Sequence, residues 1–193
     1  NPDDFSQTCA ALDERSAAND SNVTVTSTLP IMTDNVTFTF GGKSETVQLI
    51  VVPDDRTSDL DDYVRLEDES KEPLSLRDGD VYLSKSSQLV LGIQPGDTAH
   101  VQDSSLNVAK VKVSDISLNY LGNTLCMTQG TYERAFGRSV RLNGIFALLK
   151  GLSADQIAFG KKLKSDGWLS ISSTAEHWEN FEANFTIINS VVV

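Results

Sequence analysis

Basic residues are scarce in this chain, histidine and cysteine scarcer still, and no long apolar run occurs. Sixteen Lys and Arg stand against 27 Asp and Glu in 193 residues, a formal net charge of −11 at pH 7. A surface that acidic repels phosphates, which argues against nucleic-acid binding. With two Cys and two His, a four-ligand structural zinc site would need all four to converge, and their spacing does not point to one. No stretch approaches the ~18 to 20 apolar residues that span a bilayer. No basic segment, apolar stretch and small-residue cleavage site opens the chain, so the segment as it stands reads as soluble. Five Pro and 12 Gly are too few for a low-complexity or collagen-like chain.

Chemistry-bearing motifs are equally sparse. Gly42-Lys43-Ser44 copies the tail of a P-loop, but Thr37 stands where the first glycine belongs, so the backbone cradle for phosphate is not encoded. There is no G-x-S-x-G elbow and no H-E-x-x-H, the local geometries of serine hydrolases and zinc proteases. His100 and His177 each lack a neighbouring ligand at useful spacing. Residues 54 to 80 hold 11 acids and 4 bases, yet lack the D-x-[DN]-x-[DN]-G calcium loop. They read as a solvated loop and helix face. No nucleophile, base and orienting group come together, so the expectation is a non-catalytic domain without cofactor or metal.

What is present is a globular α+β pattern, with 39% hydrophobic and 22% charged residues. Residues 3 to 18 suit a helix. Strands are expected at Val23 to Thr26, at Val36 to Phe40 ending on Gly41-Gly42, and at Val47 to Val52 before Pro53. Leu60, Tyr63 and Val64 sit at i, i+3, i+4 and suit a short helix. Val81 to Leu83 reads as a strand, Ser84 as the cap of a helix to Leu91, and Gly92 as its stop. After the Pro95-Gly96-Asp97 turn, strands are expected near Thr98 to Val101, Val108 to Leu118 and Thr124 to Met127. Thr128 then caps a helix to Phe136. Ile145 to Leu149 reads as a strand, and Ser153-x-x-Gln156 as a capping box opening a helix to Ser165. With a strand at Trp168 to Ile171, this last run is a βαβ-like unit. A second capping box at Ser173 opens a final helix with Trp178, Phe181, Phe185 and Ile188 on one face.

Two features remain open at this level. Cys9 and Cys126 are an even pair. They read either as free buried thiols or as a disulfide, which the chain-entropy model values at about 5 kcal/mol. The terminal run Ile187 to Val193 reads either as a core segment or as the start of a membrane helix.

The run Asp80 to Ser84, with Leu91-Gly92-Ile93-Gln94-Pro95-Gly96-Asp97-Thr98, resembles the "strand, short helix, Leu-Gly-x-x-x-Gly-Asp-Thr" segment of the FtsX-like ABC transporter permeases, the MacB and LolC relatives. Lys110 to Ile116 looks like the following strand of that family. Asn119 to Met127 with Tyr132 to Gly137 is similar to its large Gram-positive members, and Phe181 to Val193 to the approach to a membrane helix. The resemblance implies an extracytoplasmic domain, membrane-tethered in the full-length chain and itself without an ATPase. It implies a cytoplasmic ATPase subunit as partner, and a lipid, peptide or wall-associated protein outside. It also implies two subdomains: a porter-like one from residues 1–53 and 138–193, and an inserted β-rich, sabre-like one from residues 54–137. The stripe Trp178, Phe181, Phe185 and Ile188 would then be the coupling helix. The rival of another class is a secreted ligand-binding or adhesion domain, and a weaker one is a secreted acidic hydrolase.

Overall fold

The computed structural model describes residues 22–118 and 122–165, the last three by backbone alone. Its elements are β1 (Thr24–Phe40), β2 (Lys43–Val52), a 3-10 turn (Asp54–Asp59), α1 (Leu60–Tyr63), β3 (Val81–Ser84), α2 (Lys85–Leu91), β4 (Thr98–Gln102), β5 (Val108–Lys112), β6 (Asp115–Ser117), β7 (Thr124–Thr128), α3 (Gln129–Phe136), β8 (Gly144–Lys150) and α4 (Ser153–Ser165). The fold is α+β, as expected.

The strands form one mixed sheet in the order β5-β4-β1-β2-β7-β3-β6, with β8 also paired to β1. β1 and β2 make an antiparallel hairpin from Met32↔Val51 to Phe40↔Lys43. Its two-residue turn is Gly41-Gly42, both at positive φ, the mirror-image turn whose twist matches that of the strands. The P-loop-like Gly42-Lys43-Ser44 is therefore hairpin chemistry. β7 runs parallel to β2 and antiparallel to β3.

Alternation along the strands sorts the apolar side chains to both faces. On one face Val36, Phe38, Val47, Leu49, Val101 and Val111 join Leu91 of α2 and Tyr132 of α3 in one core. On the other, Ile50, Val52, Leu29 and Ile31 are covered by Leu60, Val64, Leu66 and Leu76. The acidic stretch thus does more than stand in solvent. Its charged residues are largely exposed while its few apolar ones roof half of one sheet face. The other half of that face, carried by β1, β2, β4 and β5, has no apolar cover among the described residues.

Sequence and structure differ at several points. The strands expected at Val23 to Thr26 and Val36 to Phe40 are one strand of 17 residues, because β2 pairs with it from Met32 onward and β8 also pairs with it, which keeps the stretch between them extended. The single strand expected from Val108 to Leu118 is two. The Val113 N–H turns to Asp97 O and the Ser114 N–H to Val81 O, so β5 pairs with β4 and β6 with β3. Ser84 precedes α2 but makes no capping bond; its hydroxyl accepts from the Thr124 N–H instead. The capping box at Ser153 does not form. Leu152 O accepts the first helical bond, from the Gln156 N–H, and the Gln156 amide donates to Leu149 O and Gly151 O.

Two compact units divide the chain. Among the described residues one is Leu29–Phe146, which contains both cores just described. The other comprises residues 22–28 and 147–165, where Val23 and Phe159 are buried with Val25, Ala147 and Leu149 against them. The expected borders at 53/54 and 137/138 both fall inside the first unit, where β2 pairs with β1 from Lys43 to Val51 and with β7 from Gln48 to Val52. The expected helix at 3 to 18, the strand at 168 to 171 and the final helix lie outside the described residues.

Candidate functional site

A cleft of about 670 Å³ opens in the first unit, lined by Thr33 and Asp34 of β1, Ser104 of the β4–β5 turn, Tyr132 of α3, and Arg138 and Arg141 beyond it. Its walls follow from local folding. Thr128 caps α3, its side chain accepting from the Thr131 N–H, and Gly137 in the left-handed region ends the helix. That stop redirects the chain so that Arg138 reaches back over the helix it has just left.

Next to the lining residue Ser104, and not itself lining the cleft, is Asp103, whose side chain is 0% exposed. It accepts from the N–H groups of Ser105 and Asn107, each at 2.9 Å, and from the Asn107 amide. Arg138 Nη2 completes the set at 2.7 Å. A buried carboxylate is tolerable only when so fully partnered. Arg138 Nε donates to the Tyr132 hydroxyl at 2.8 Å, and its guanidinium carbon is 5.7 Å from the centroid of that ring. Tyr132 stacks on Phe136. Burial pushes the Tyr132 phenol up, against the pull of Arg138. At the rim Asp34 accepts from the N–H and hydroxyl of Ser104, and Asn143 exchanges two hydrogen bonds with the Thr33 backbone. The Arg138 charge is thus committed to structure, whereas Arg141 is exposed at the mouth. The cleft offers hydrogen-bond donors and acceptors of both signs. Among the described residues no group of three or more His, Cys, Asp or Glu is arranged to hold a metal ion.

Of the residues expected to carry function, only Cys126 is described, and it is not among those lining this cleft. Trp178, Phe181, Phe185, Ile188, His177 and Cys9 lie outside the described residues. Cys126 is buried in the centre of β7, level with Ile50 and Tyr82 on its neighbours, and has no disulfide partner among the described residues. Burial pushes it up to about 12, so it is an inert core residue at neutral pH. His100 is exposed on β4. The signal for the cleft that sequence reasoning missed is Asp103-Ser104-Ser105-Leu106-Asn107, an Asx-turn pattern between two alternating strands. No helix among the described residues is long and apolar enough to cross a membrane.

No protein-family model and no curated protein matches the sequence. Among solved structures, the periplasmic region of MacB from Actinobacillus actinomycetemcomitans is similar at 15% identity and a TM-score of 0.44, over 81% of this chain and 72% of that one. The extracellular domain of the noncanonic ABC-type transporter YknZ from Gram-positive bacteria is similar at 14% identity and a TM-score of 0.47, over 79% and 80%. The chain is similar in fold to these two domains.

Proposed function

We propose that the chain is the extracytoplasmic domain of an FtsX-like ABC transporter permease, working as a non-catalytic element that couples motion to an outer-surface partner. The observation that carries this reading is the run Asp80 to Thr98. Its sequence resembles that family's signature, and it folds as the signature implies: β3, the short helix α2, the Gly92 stop, a turn at Gly96 and entry into β4. Gly92 and Gly96 both have positive φ, so their identity is set by the backbone path. In this reading the porter-like subdomain of residues 1–53 and 138–193 is membrane-proximal, and the stripe Trp178, Phe181, Phe185 and Ile188 is the stiff connection to the next membrane helix. The energy source is a cytoplasmic ATPase subunit.

The test uses the full-length protein in its own cells. Leu106, 75% exposed, is replaced by Cys and probed with a membrane-impermeant maleimide. Labelling of intact cells, with an ATPase subunit recovered when the solubilised protein is purified, is expected. A full-length chain found in the soluble fraction without an ATPase would overturn the reading in favour of a secreted binding domain. Coupling is tested by inserting several Gly after Phe185, which should uncouple transport while ATP hydrolysis survives.

A further inference from the structure

β5 ends the sheet: it pairs with β4 on one side and with no described strand on the other. The ladder decides what that free side offers. Asp103 N–H donates to Asn107 O and Val113 N–H to Asp97 O. In an antiparallel pair hydrogen-bonded positions alternate with non-bonded ones. The bonded pairs between these two are therefore Ala99↔Val111 and Val101↔Ala109, and Thr98↔Lys112, His100↔Lys110 and Gln102↔Val108 are the non-bonded ones. The N–H and C=O groups of Val108, Lys110 and Lys112 consequently point away from β4, out of the sheet. They form three donor–acceptor pairs in a row at a strand edge.

The same three residues direct their side chains to the face left without apolar cover. Val108 is 59% exposed, and Lys110 and Lys112 are exposed. His100 lies directly across from Lys110, and Thr39 directly across from His100. In a chain of net charge −11, the outward positions of β5 and β4, with 37, 39, 44 and 46 on β1 and β2, carry no carboxylate. This edge is thus a local cationic exception, with an apolar end at Val108 and the exposed Leu106 of the turn.

We propose that the free edge of β5 docks an extended acidic peptide segment of a partner protein by strand addition. The backbone row supplies the hydrogen bonds, and acidic side chains of the added strand stand opposite Lys110 and Lys112. Edge lysines are also a device against unwanted pairing, and here they act as a filter. They disfavour a second copy of this chain, because the one antiparallel β5–β5 register that uses all three pairs sets Lys110 directly against Lys110. They leave the edge open to a strand of opposite charge. This surface is independent of the permease reading.

The test titrates the 193-residue chain with a fluorescein-labelled eight-residue peptide of alternating valine and glutamate, read by anisotropy, with amide exchange followed by NMR. Binding that weakens with salt is expected, together with new exchange protection at Val108, Lys110 and Lys112. The amides of Ala109 and Val111, already bonded to β4, should not change. Lys110→Gln with Lys112→Gln should weaken binding about tenfold. Val108→Pro removes one outward N–H, keeps both lysines and spares the β4 ladder, so it should weaken binding while the circular dichroism is unchanged. Three results would overturn the proposal: no binding at millimolar peptide, loss with the lysine pair but none with Val108→Pro, or equal binding of the all-D peptide. The last two would mark a bare charge patch.

Discussion

Replacing Asp103 by Ala tests whether the β4–β5 turn is held by one buried carboxylate. The substitution removes the acceptor of two backbone N–H groups, one side-chain amide and the Arg138 guanidinium. Hydrogen bonds to a charged group contribute about 1.5 to 3 kcal/mol each, but Ser105 and Asn107 are exposed and water can replace their bonds. The Arg138 side chain is 36% exposed, so its loss of partner is softened too, below the 3 to 5 kcal/mol typical of a broken buried pair. These discounts bring the expected cost to about 3 kcal/mol. In urea, with a slope of about 2 kcal/mol/M, the midpoint should fall by about 1.5 M at unchanged slope. Arg138→Met leaves Asp103 with its turn donors and should cost only about 1 to 2 kcal/mol. The double variant should cost less than the two singles summed, because they share a partner. A shift below about 0.3 M for Asp103→Ala would refute the reasoning, showing that water serves the turn as well as the carboxylate does.

Four further outcomes are expected. Gly151→Ala places a Cβ 2.7 Å from the Asn22 carbonyl oxygen at a φ of +150°; it should cost about 2 kcal/mol and speed amide exchange in residues 22–28 and 147–150. Thr128→Ala removes the α3 cap and should lower stability by about 1 kcal/mol in the same urea assay. Tyr82 and Tyr132 have phenols raised chiefly by burial, Tyr82 also by Asp80. Their contribution is therefore complete below about pH 10, the unfolded value. It is lost as pH rises through the higher folded values, so Tyr82→Phe should flatten the alkaline fall of the urea midpoint. Cys126 should resist Ellman's reagent in the folded chain and react once denatured, two thiols then titrating per chain; no titratable thiol in denaturant would mean a Cys9–Cys126 bridge.

The elements legible in the sequence were those bounded by local chemistry. Gly41-Gly42, Gly92 and Gly137 each stop an element where the backbone must enter positive φ, and that demand is written in the residue itself. What was not legible depended on partners distant in sequence. Nothing near Ser27 to Asn35 says that the two short strands are one; the pairing with β2 and β8 says so. Ser153 and Gln156 have the spacing of a capping box, but the Gln156 amide found carbonyls of the preceding turn. Spacing cannot register that competition. The cleft escaped notice for the same reason, since Asp103 and Arg138 are 35 residues apart and meet only through the Gly137 stop.

One consequence joins the buried staple to the exposed edge. Asp103 holds the turn that joins β4 to β5, and register in a two-faced strand decides which side chains reach which face. A slip of one residue would turn Ala109 and Val111 outward and drive Lys110 and Lys112 toward the core occupied by Leu91 and Tyr132. The cost of burying two ammonium groups far exceeds that of any turn hydrogen bond, so the alternation itself forbids the slip. The carboxylate's role is then narrower: it holds the last pairs, Gln102↔Val108 and the Asp103–Asn107 closure, where no core residue enforces order. Val108 is the first residue of the proposed docking edge. Asp103→Ala should accordingly release protection at the Asn107 end of the hairpin while Lys112, beside the Asp97–Val113 bond, keeps its place. The edge would fray from its apolar end and leave its cationic end intact.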